Sequence, residues 1–295
     1  MKKNKYPLLS NAFNKKDIDL GIKVLKSKYI TMSKYTTKFE KDFARKMNAK
    51  FALMVNSGSS ANLLAVSAAM NPLRKKRLKP GSEVLIPAVC WSTSLWPLIQ
   101  NNLKPVFVDV NSEDFNISID DLKKKISKKT KAIMCIHILG TSSNMNEILN
   151  IAKRNNLEVI EDTCESLGAK YNKRFLGNFG NFGTFSFYYS HQITSGEGGM
   201  IICKKKEDYE ILKMLRSHGW SRDTSYHKKL TSKYKNLDKR FMFVNSGYNL
   251  RPTDIQAAIA SNQFKRLKTF MKNRNENRNK IIDRLKKNKN WKNQF

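Results

Sequence analysis

Cysteine is scarce in this chain, and the cysteines show no informative spacing. The four residues, Cys90, Cys135, Cys164 and Cys203, form neither the close pairs of a zinc site nor the dense framework of a small disulfide-stabilised protein. Long apolar runs are missing as well, since none approaches the roughly 20 residues that a helix needs to cross a bilayer. These absences argue against a disulfide scaffold, a metal site and a membrane partner, and they predict a cytoplasmic location.

Acidic residues are also few. The chain has 24 Asp and Glu against 56 Lys and Arg, a net charge of +32. Such a charge is typical of proteins that bind nucleic acid. Here, however, the basic residues lie in short clusters along the whole chain, for example at 75–77, 123–125 and 204–206, beside many asparagines. This distribution is typical of a solvated surface, so we expect no nucleic-acid partner, only some salt-sensitive attraction for anionic nucleotides.

Hydrophobic periodicity predicts alternating strands and helices. The predicted strands are 51–55, 83–88, 105–108, 132–138, 158–161, 184–188 and 200–203. The predicted helices are 17–26, 37–47, 61–70, 94–101, 119–126, 145–155, 255–266 and 270–286. This repeated βαβ pattern is typical of an α/β fold with a mainly parallel, doubly wound sheet.

Small residues follow the first predicted strand at Ser57, Gly58, Ser59 and Ser60. At a helix N-terminus, free backbone N–H groups and a partial positive charge favour the binding of phosphate. A serine that caps the helix explains the same residues equally well. Both interpretations stay open on these residues alone.

Two other strands end in residues that could contact a planar ligand. Asp162 and Glu165 follow the strand at 158–161, and Trp91 follows the strand at 83–88. Open α/β sheets bind ligands at the carboxyl ends of their strands. A carboxylate there could face a protonated pyridine nitrogen, and a tryptophan could stack on the ring. The alternatives are a helix-capping aspartate and a core tryptophan.

The segment 185–199 carries the most information. It reads Phe-Ser-Phe-Tyr-Tyr-Ser-His-Gln-Ile-Thr-Ser-Gly-Glu-Gly-Gly and contains Ser186 and His191. It resembles the cofactor-lysine segment of the DegT/DnrJ/StrS sugar aminotransferases, where the lysine forms a Schiff base with pyridoxal phosphate. His191 occupies the lysine position. An imidazole cannot form that bond but can exchange protons near neutral pH, which favours dehydration over amino transfer.

The resemblance extends from residue 39 to residue 267 and implies the large domain of a fold-type I pyridoxal-phosphate-dependent transferase. It implies a homodimer with shared active sites. It also implies cofactor-binding roles for seven residues: Ser59, Ser60 and Ser186 at the phosphate, Asp162 at the ring nitrogen, Trp91 on the ring face, Glu165 near the ring hydroxyl, and Asn249 at the phosphate of the neighbouring subunit.

Members of this family that carry the histidine are sugar 3-dehydrases, and one kind of them holds an iron–sulfur cluster. A cluster needs about four thiolates, and only Cys164 is suitably placed, because the segment 216–232 has no cysteine. The chain therefore resembles the cluster-free kind, which works with pyridoxamine phosphate. The resemblance implies 3-dehydration of a nucleotide-linked 4-keto-6-deoxyhexose in deoxysugar biosynthesis, with His191 as the catalytic base.

Two alternatives to this function stay open. One is a nucleotide-sugar aminotransferase, and the other is a degenerate family member without catalytic activity. Relatives continue into a small C-terminal domain, so we expect residues 1–265 to form the cofactor-binding domain with an N-terminal helical segment. We expect residues 266–295 to begin a small domain that is truncated.

Overall fold

The computed structural model describes residues 12–288, in which helices and strands alternate along most of the chain. The α-helices are α1 (Lys15–Lys26), α2 (Lys34–Met47), α3 (Gly58–Met70), α4 (Ser92–Gln100), α5 (Ile119–Lys125), α6 (Met145–Arg154), α7 (Lys206–Arg216), α8 (Ser225–Lys233), α9 (Asp254–Lys265) and α10 (Leu267–Lys287). The strands are β1 (Phe51–Val55), β2 (Glu83–Pro87), β3 (Lys104–Val108), β4 (Thr130–Ile136), β5 (Glu158–Asp162), β6 (Lys170–Tyr171), β7 (Arg174–Phe175), β8 (Phe182–Ser186) and β9 (Gly199–Cys203). Between residues 12 and 288, no helix combines the length and the apolar character that a membrane crossing requires.

Seven of these strands form one sheet in the order β1-β9-β8-β5-β4-β2-β3. Neighbours from β8 to β3 pair in parallel, whereas β9 runs antiparallel to both β1 and β8. Strands β6 and β7 form a separate two-stranded hairpin. Because β1, β2, β4, β5 and β8 all run in one direction, their carboxyl ends meet at the same edge of the sheet.

Both faces of the sheet are covered by helices, and the side chains alternate between them. Leu53 and Val55 of β1 belong to one apolar cluster, which the helices α3 and α7 cover. Ala52 and Met54 belong to a second cluster, which α2 and α9 cover. Burial of both faces explains why β1, β2, β4 and β9 are mainly apolar, as buried strands usually are.

Helix α2 begins at Lys34, three residues before the predicted start at 37. Its first turn is capped from a distant part of the chain. The carboxylate of Asp254, the first residue of α9, accepts the N–H of Ser33 at 2.8 Å, and the N–H and hydroxyl of Thr36 at 3.0 and 2.7 Å. Asp254 lies 218 residues beyond Thr36, so the local pattern contains no sign of this cap.

The sequence pattern does not predict helices α7 and α8. The buried residues of α7 include Asp208 and Arg216 beside its apolar residues. Arg74 pairs with Asp208 and Glu40 pairs with Arg216, each at 2.7 Å. These buried charged residues lie beside apolar residues of α7, and their partners lie far away in the sequence. Helix α8 has no buried residue, so it shows no apolar stripe.

Candidate active site

A cavity of about 500 Å³ opens at the carboxyl edge of the sheet. Five of the six strands that run in the same direction contribute residues at or just beyond their ends: Ser57, Gly58 and Ser59 after β1, Trp91 after β2, His137 and Ile138 after β4, Asp162, Cys164 and Glu165 from β5, and Ser186, Tyr188, Ser190 and His191 from β8. Ligands of open α/β sheets bind at this edge.

One end of the cavity is formed by the N-terminus of α3, which begins at Gly58 rather than at the predicted residue 61. The Ser57 hydroxyl caps the helix, because it accepts the N–H of Ser60 at 3.0 Å and donates to the Ser60 hydroxyl at 2.9 Å. A Cβ atom on Gly58 would lie 2.5 Å from the Cβ of Ser186, so glycine allows this close packing. Helix cap and anion site are compatible here: Ser57 and Ser60 form the cap, while Ser59 and Ser186 line the cavity.

Asp162 lies at the inner side of the cavity and is 6% exposed. One carboxylate oxygen accepts hydrogen bonds from the side-chain amide of Asn62 and the hydroxyl of Ser94, both at 2.7 Å. The other accepts the backbone N–H of Cys164 at 3.0 Å. The carboxylate is therefore an acceptor of fixed orientation.

His191 lies in the loop that follows β8. Its backbone N–H donates to the carbonyl of Tyr188 at 3.1 Å, and the two rings meet edge to face at 5.9 Å between centroids. The next residue, Gln192, donates its side-chain amide to the carbonyl of Glu165. Burial lowers the pKa of His191, and the negative charges of Glu165 and Asp162 oppose this effect without cancelling it. The neutral imidazole, which can accept a proton, is thereby favoured.

Trp91 and Glu165 complete the outer part of the cavity. Trp91 is 72% exposed, so the alternative that it belongs to the core is wrong. The carboxylate of Glu165 accepts the backbone N–H of Leu139 at 3.0 Å.

Six of the eight predicted site residues line this one cavity: Ser59, Trp91, Asp162, Glu165, Ser186 and His191. The other two do not line it. Ser60 belongs to the helix cap, and Asn249 lies on an exposed loop where its side-chain oxygen accepts from Arg251 at 3.0 Å. The role of Asn249 in a neighbouring subunit stays a prediction.

The sequence reasoning did not identify a buried pair next to the cavity. His137 and Glu161 are fully buried, with Nε2 of His137 3.2 Å from the Glu161 carboxylate. The N–H of Ser143 points to Nδ1 of His137 at 3.3 Å, which assigns the proton to Nε2. Glu161 also accepts three backbone N–H groups of the segment 177–180. The pair thus orders the loops below the cavity. Because the pair lies at strand ends, its position in the sequence could have identified it as part of the site.

The chemistry of the lining residues fits a pyridoxal-phosphate-type cofactor. Hydroxyl groups and free N–H groups at the start of α3 suit a phosphate, the carboxylate of Asp162 suits a protonated ring nitrogen, and Trp91 offers an aromatic face. The lining residues, all from the described part of the chain, include no lysine. His191 is the candidate for proton transfer.

Comparisons with known proteins agree with this geometry. A sequence model of the DegT/DnrJ/EryC1/StrS aminotransferase family matches residues 12–294. The chain is 40% identical over 283 residues to a GDP-4-keto-6-deoxy-D-mannose 3-dehydratase of Escherichia coli O55:H7, covering 95% of this chain and 73% of that protein.

Solved structures give the same relationship. A GDP-4-keto-6-deoxymannose-3-dehydratase (ColD) in which asparagine replaces a histidine, with bound GDP-perosamine, superposes with a TM-score of 0.90 at 39% identity, over 96% of this chain and 74% of that one. The E. coli GDP-4-keto-6-deoxy-D-mannose-3-dehydratase with bound hydrated PLP gives a TM-score of 0.90 at 39% identity, over 96% and 73%. The predicted fold class is confirmed. The chain belongs to the DegT/DnrJ/EryC1/StrS aminotransferase family.

Proposed function

We propose that this protein catalyses the 3-dehydration of a nucleotide-linked 4-keto-6-deoxyhexose with pyridoxamine phosphate, as a step in the biosynthesis of deoxysugars for cell-surface polysaccharides. One observation carries the proposal: among the residues that the structure describes, His191 and no lysine lines the cavity that also contains Asp162 and Ser186. The 40% identity to a 3-dehydratase that acts on a GDP-linked sugar supports the substrate class.

The lining residues suggest how the cofactor would be held. Ser59, Ser186 and the first N–H groups of α3 would bind its phosphate, Asp162 its ring nitrogen and Trp91 its ring face. When bound, the pyridoxamine form supplies an amino group for the keto carbon of the sugar and a ring that accepts electrons. The absence of a lysine leaves these non-covalent contacts as the means of binding.

His191 moves the proton in this proposal. As a neutral imidazole it accepts a proton at a ring nitrogen, and as an imidazolium it donates that proton to the departing C3 hydroxyl, which leaves as water. The lowered pKa of His191, caused by burial, favours the form that starts this cycle. After hydrolysis the sugar has lost one oxygen atom, and ammonia is released.

We also propose a homodimer. Trp91 and Leu139, 72% and 78% exposed, leave large apolar groups uncovered at or next to the cavity, where a second copy could cover them. Asn249 is exposed and free to approach another chain. Light scattering of the purified protein tests this, and a monomeric mass at micromolar concentration would contradict it.

Four free cysteines support the proposed cytoplasmic location.

The sequence-based division into domains is likewise proposed. Residues 1–265 would form the cofactor-binding domain, and residues 266–295 would begin a second unit. The boundary falls between α9 and α10, and within the described part of α10 only Leu267 is buried. Limited proteolysis that cuts within α10 while sparing α9 would support this division.

The deciding experiment incubates the protein with pyridoxamine phosphate and a panel of nucleotide-linked 4-keto-6-deoxysugars, followed by mass analysis. We expect a product one oxygen atom lighter, with pyridoxal phosphate and ammonia formed in equal amounts. An aminotransferase would instead yield an amino sugar. Borohydride treatment with pyridoxal phosphate separates the two mechanisms, since only a lysine in the cavity gives a stable adduct there. His191→Lys supplies the positive control.

A further inference from the structure

The orientation of Asp162 is controlled by residues from other elements. Asn62 belongs to α3 and Ser94 to α4, and both donate to the same carboxylate oxygen at 2.7 Å. The three residues are nearly inaccessible to solvent, at 1%, 1% and 6% for Asn62, Ser94 and Asp162. Water therefore cannot readily replace either donor.

Asn62 is itself held in one orientation. Its side-chain oxygen accepts the hydroxyl of Thr184 at 2.6 Å, and its amide nitrogen also approaches the carbonyl of Thr93 at 3.3 Å. Thr184 is in β8, two residues before Ser186. With the oxygen engaged by Thr184, the amide must direct its N–H groups toward Asp162, because a carboxylate only accepts.

A carboxylate has about four lone-pair positions. Three are occupied in Asp162, by Asn62, Ser94 and the N–H of Cys164. Asp162 nevertheless lines the cavity. The Cys164 thiol also contacts this carboxylate, which thus faces the cavity with its rotation blocked by donors from two helices.

We propose that Asn62 and Ser94 are positioning residues that fix the Asp162 carboxylate for the ring nitrogen of the cofactor. This inference rests on the proposed function, because it assumes a pyridine ring in the cavity. Neither residue needs to touch the cofactor nitrogen. Both residues also line the cavity, and we assign their effect on binding to Asp162 because both donate to its carboxylate.

The test measures the binding of two probes to the full chain by fluorescence titration. One is pyridoxamine phosphate, and the other is its 1-deaza analogue, in which carbon replaces the ring nitrogen. We expect Ser94→Ala and Asn62→Ala to weaken binding of pyridoxamine phosphate about 10- to 100-fold, the usual range for a hydrogen bond to a charged group. Binding of the deaza analogue, which cannot donate to Asp162, should change less than about twofold.

A double-mutant cycle adds a second readout. In an Asp162→Asn background, Ser94→Ala should cause no further loss of pyridoxamine phosphate binding. Asn71→Ala is the matched control, since Asn71 is a buried asparagine at the opposite end of α3 and accepts the N–H of Leu73 at 3.0 Å. It should leave the affinity for both probes unchanged.

Several outcomes would overturn the inference. Equal weakening of both probes, or additive losses in the cycle, would assign Ser94 and Asn62 a structural role only. Unchanged binding of pyridoxamine phosphate by Ser94→Ala and Asn62→Ala would show that these residues do not contribute to the position of the Asp162 carboxylate. If Asn62→Ala does not fold, Ser94→Ala, which removes a single hydroxyl, decides the question. Failure of the unmodified protein to bind pyridoxamine phosphate would instead refute the proposed function and this inference with it.

Discussion

Replacing His191 by asparagine separates proton transfer from binding. Asparagine keeps a polar side chain of similar reach but has no group that titrates near neutral pH. The backbone bond from residue 191 to the carbonyl of Tyr188 is independent of the side chain. The imidazole is half-buried and meets the ring of Tyr188 only by its edge, so we expect the free energy of unfolding to change by less than about 1 kcal/mol.

The loss of activity should be far larger than the loss of stability. A positioned acid–base group typically contributes 10²- to 10⁴-fold, or about 2.7–5.5 kcal/mol of barrier. We therefore expect kcat for His191→Asn to fall by roughly 10²- to 10⁴-fold, with the affinity for pyridoxamine phosphate within about threefold of normal. The affinity should persist because the proposed phosphate, ring-nitrogen and ring-face contacts come from other residues.

The assay compares single-turnover formation of the deoxygenated sugar, followed by mass, with fluorescence titration of the cofactor. His227→Asn serves as the matched control: it makes the same change on α8, where Nδ1 of His227 lies 3.1 Å from the Ser221 hydroxyl, away from the cavity. It should keep full turnover. Full turnover by His191→Asn would refute the assignment of His191 as the base. A loss of cofactor affinity as large as the loss of turnover would refute the expectation that His191 acts in proton transfer and not in cofactor binding.

Two further predictions concern buried charges. Because burial lowers the pKa of His191 below 6.5, the acid limb of the kcat/KM profile should lie below pH 6.5. Glu165→Gln removes a negative charge that favours the imidazolium form, so it should move this limb to still lower pH. A shift of the limb to higher pH would contradict this reasoning. Arg74→Met should destabilise the fold by about 3–5 kcal/mol at pH 7, because Glu158 and Asp208 lose their buried partner. Burial already raises the pKa of Asp208 and removal of Arg74 raises it further, so protonation should reduce this loss at pH 5, as urea unfolding at both pH values can measure.

The buried strands of the large sheet were predictable because burial on both faces gives each of them a short apolar run, whereas the two-residue strands β6 and β7 were not predicted. Strand β5 ends within one residue of its predicted end, and β1 matches its prediction at both ends. Features that depend on distant partners were not predictable. The early start of α2 requires Asp254, and the buried charged residues of α7 require Arg74 and Glu40. Local periodicity contains none of these partners.

The same distinction applies to the candidate site. Trp91 and Asp162 could be proposed from the sequence because each lies at or beyond the end of a strand, and parallel strands bring their carboxyl ends together. His191 could be proposed because it occupies the lysine position of a segment that resembles the family's cofactor-lysine segment. Asn62 lies in the second turn of α3 and gives no such signal. Its importance follows from contacts with residues 100 and 122 positions away in the chain. Sequence reasoning finds groups at strand ends more readily than the residues that orient them.

Within residues 12–288 no lysine lines the cavity, and this changes what the rest of the site must do. A covalent bond to the protein would hold the cofactor ring even if its other contacts were loose. Without it, the position of the ring depends on hydrogen bonds and stacking, so each partner must itself be fixed. Asp162 meets this demand through Asn62 and Ser94, and Gln192 ties the loop of His191 to the turn at Glu165. In the proposed function, preorganised polar groups at Asp162 and around His191 would thus take the place of the missing bond.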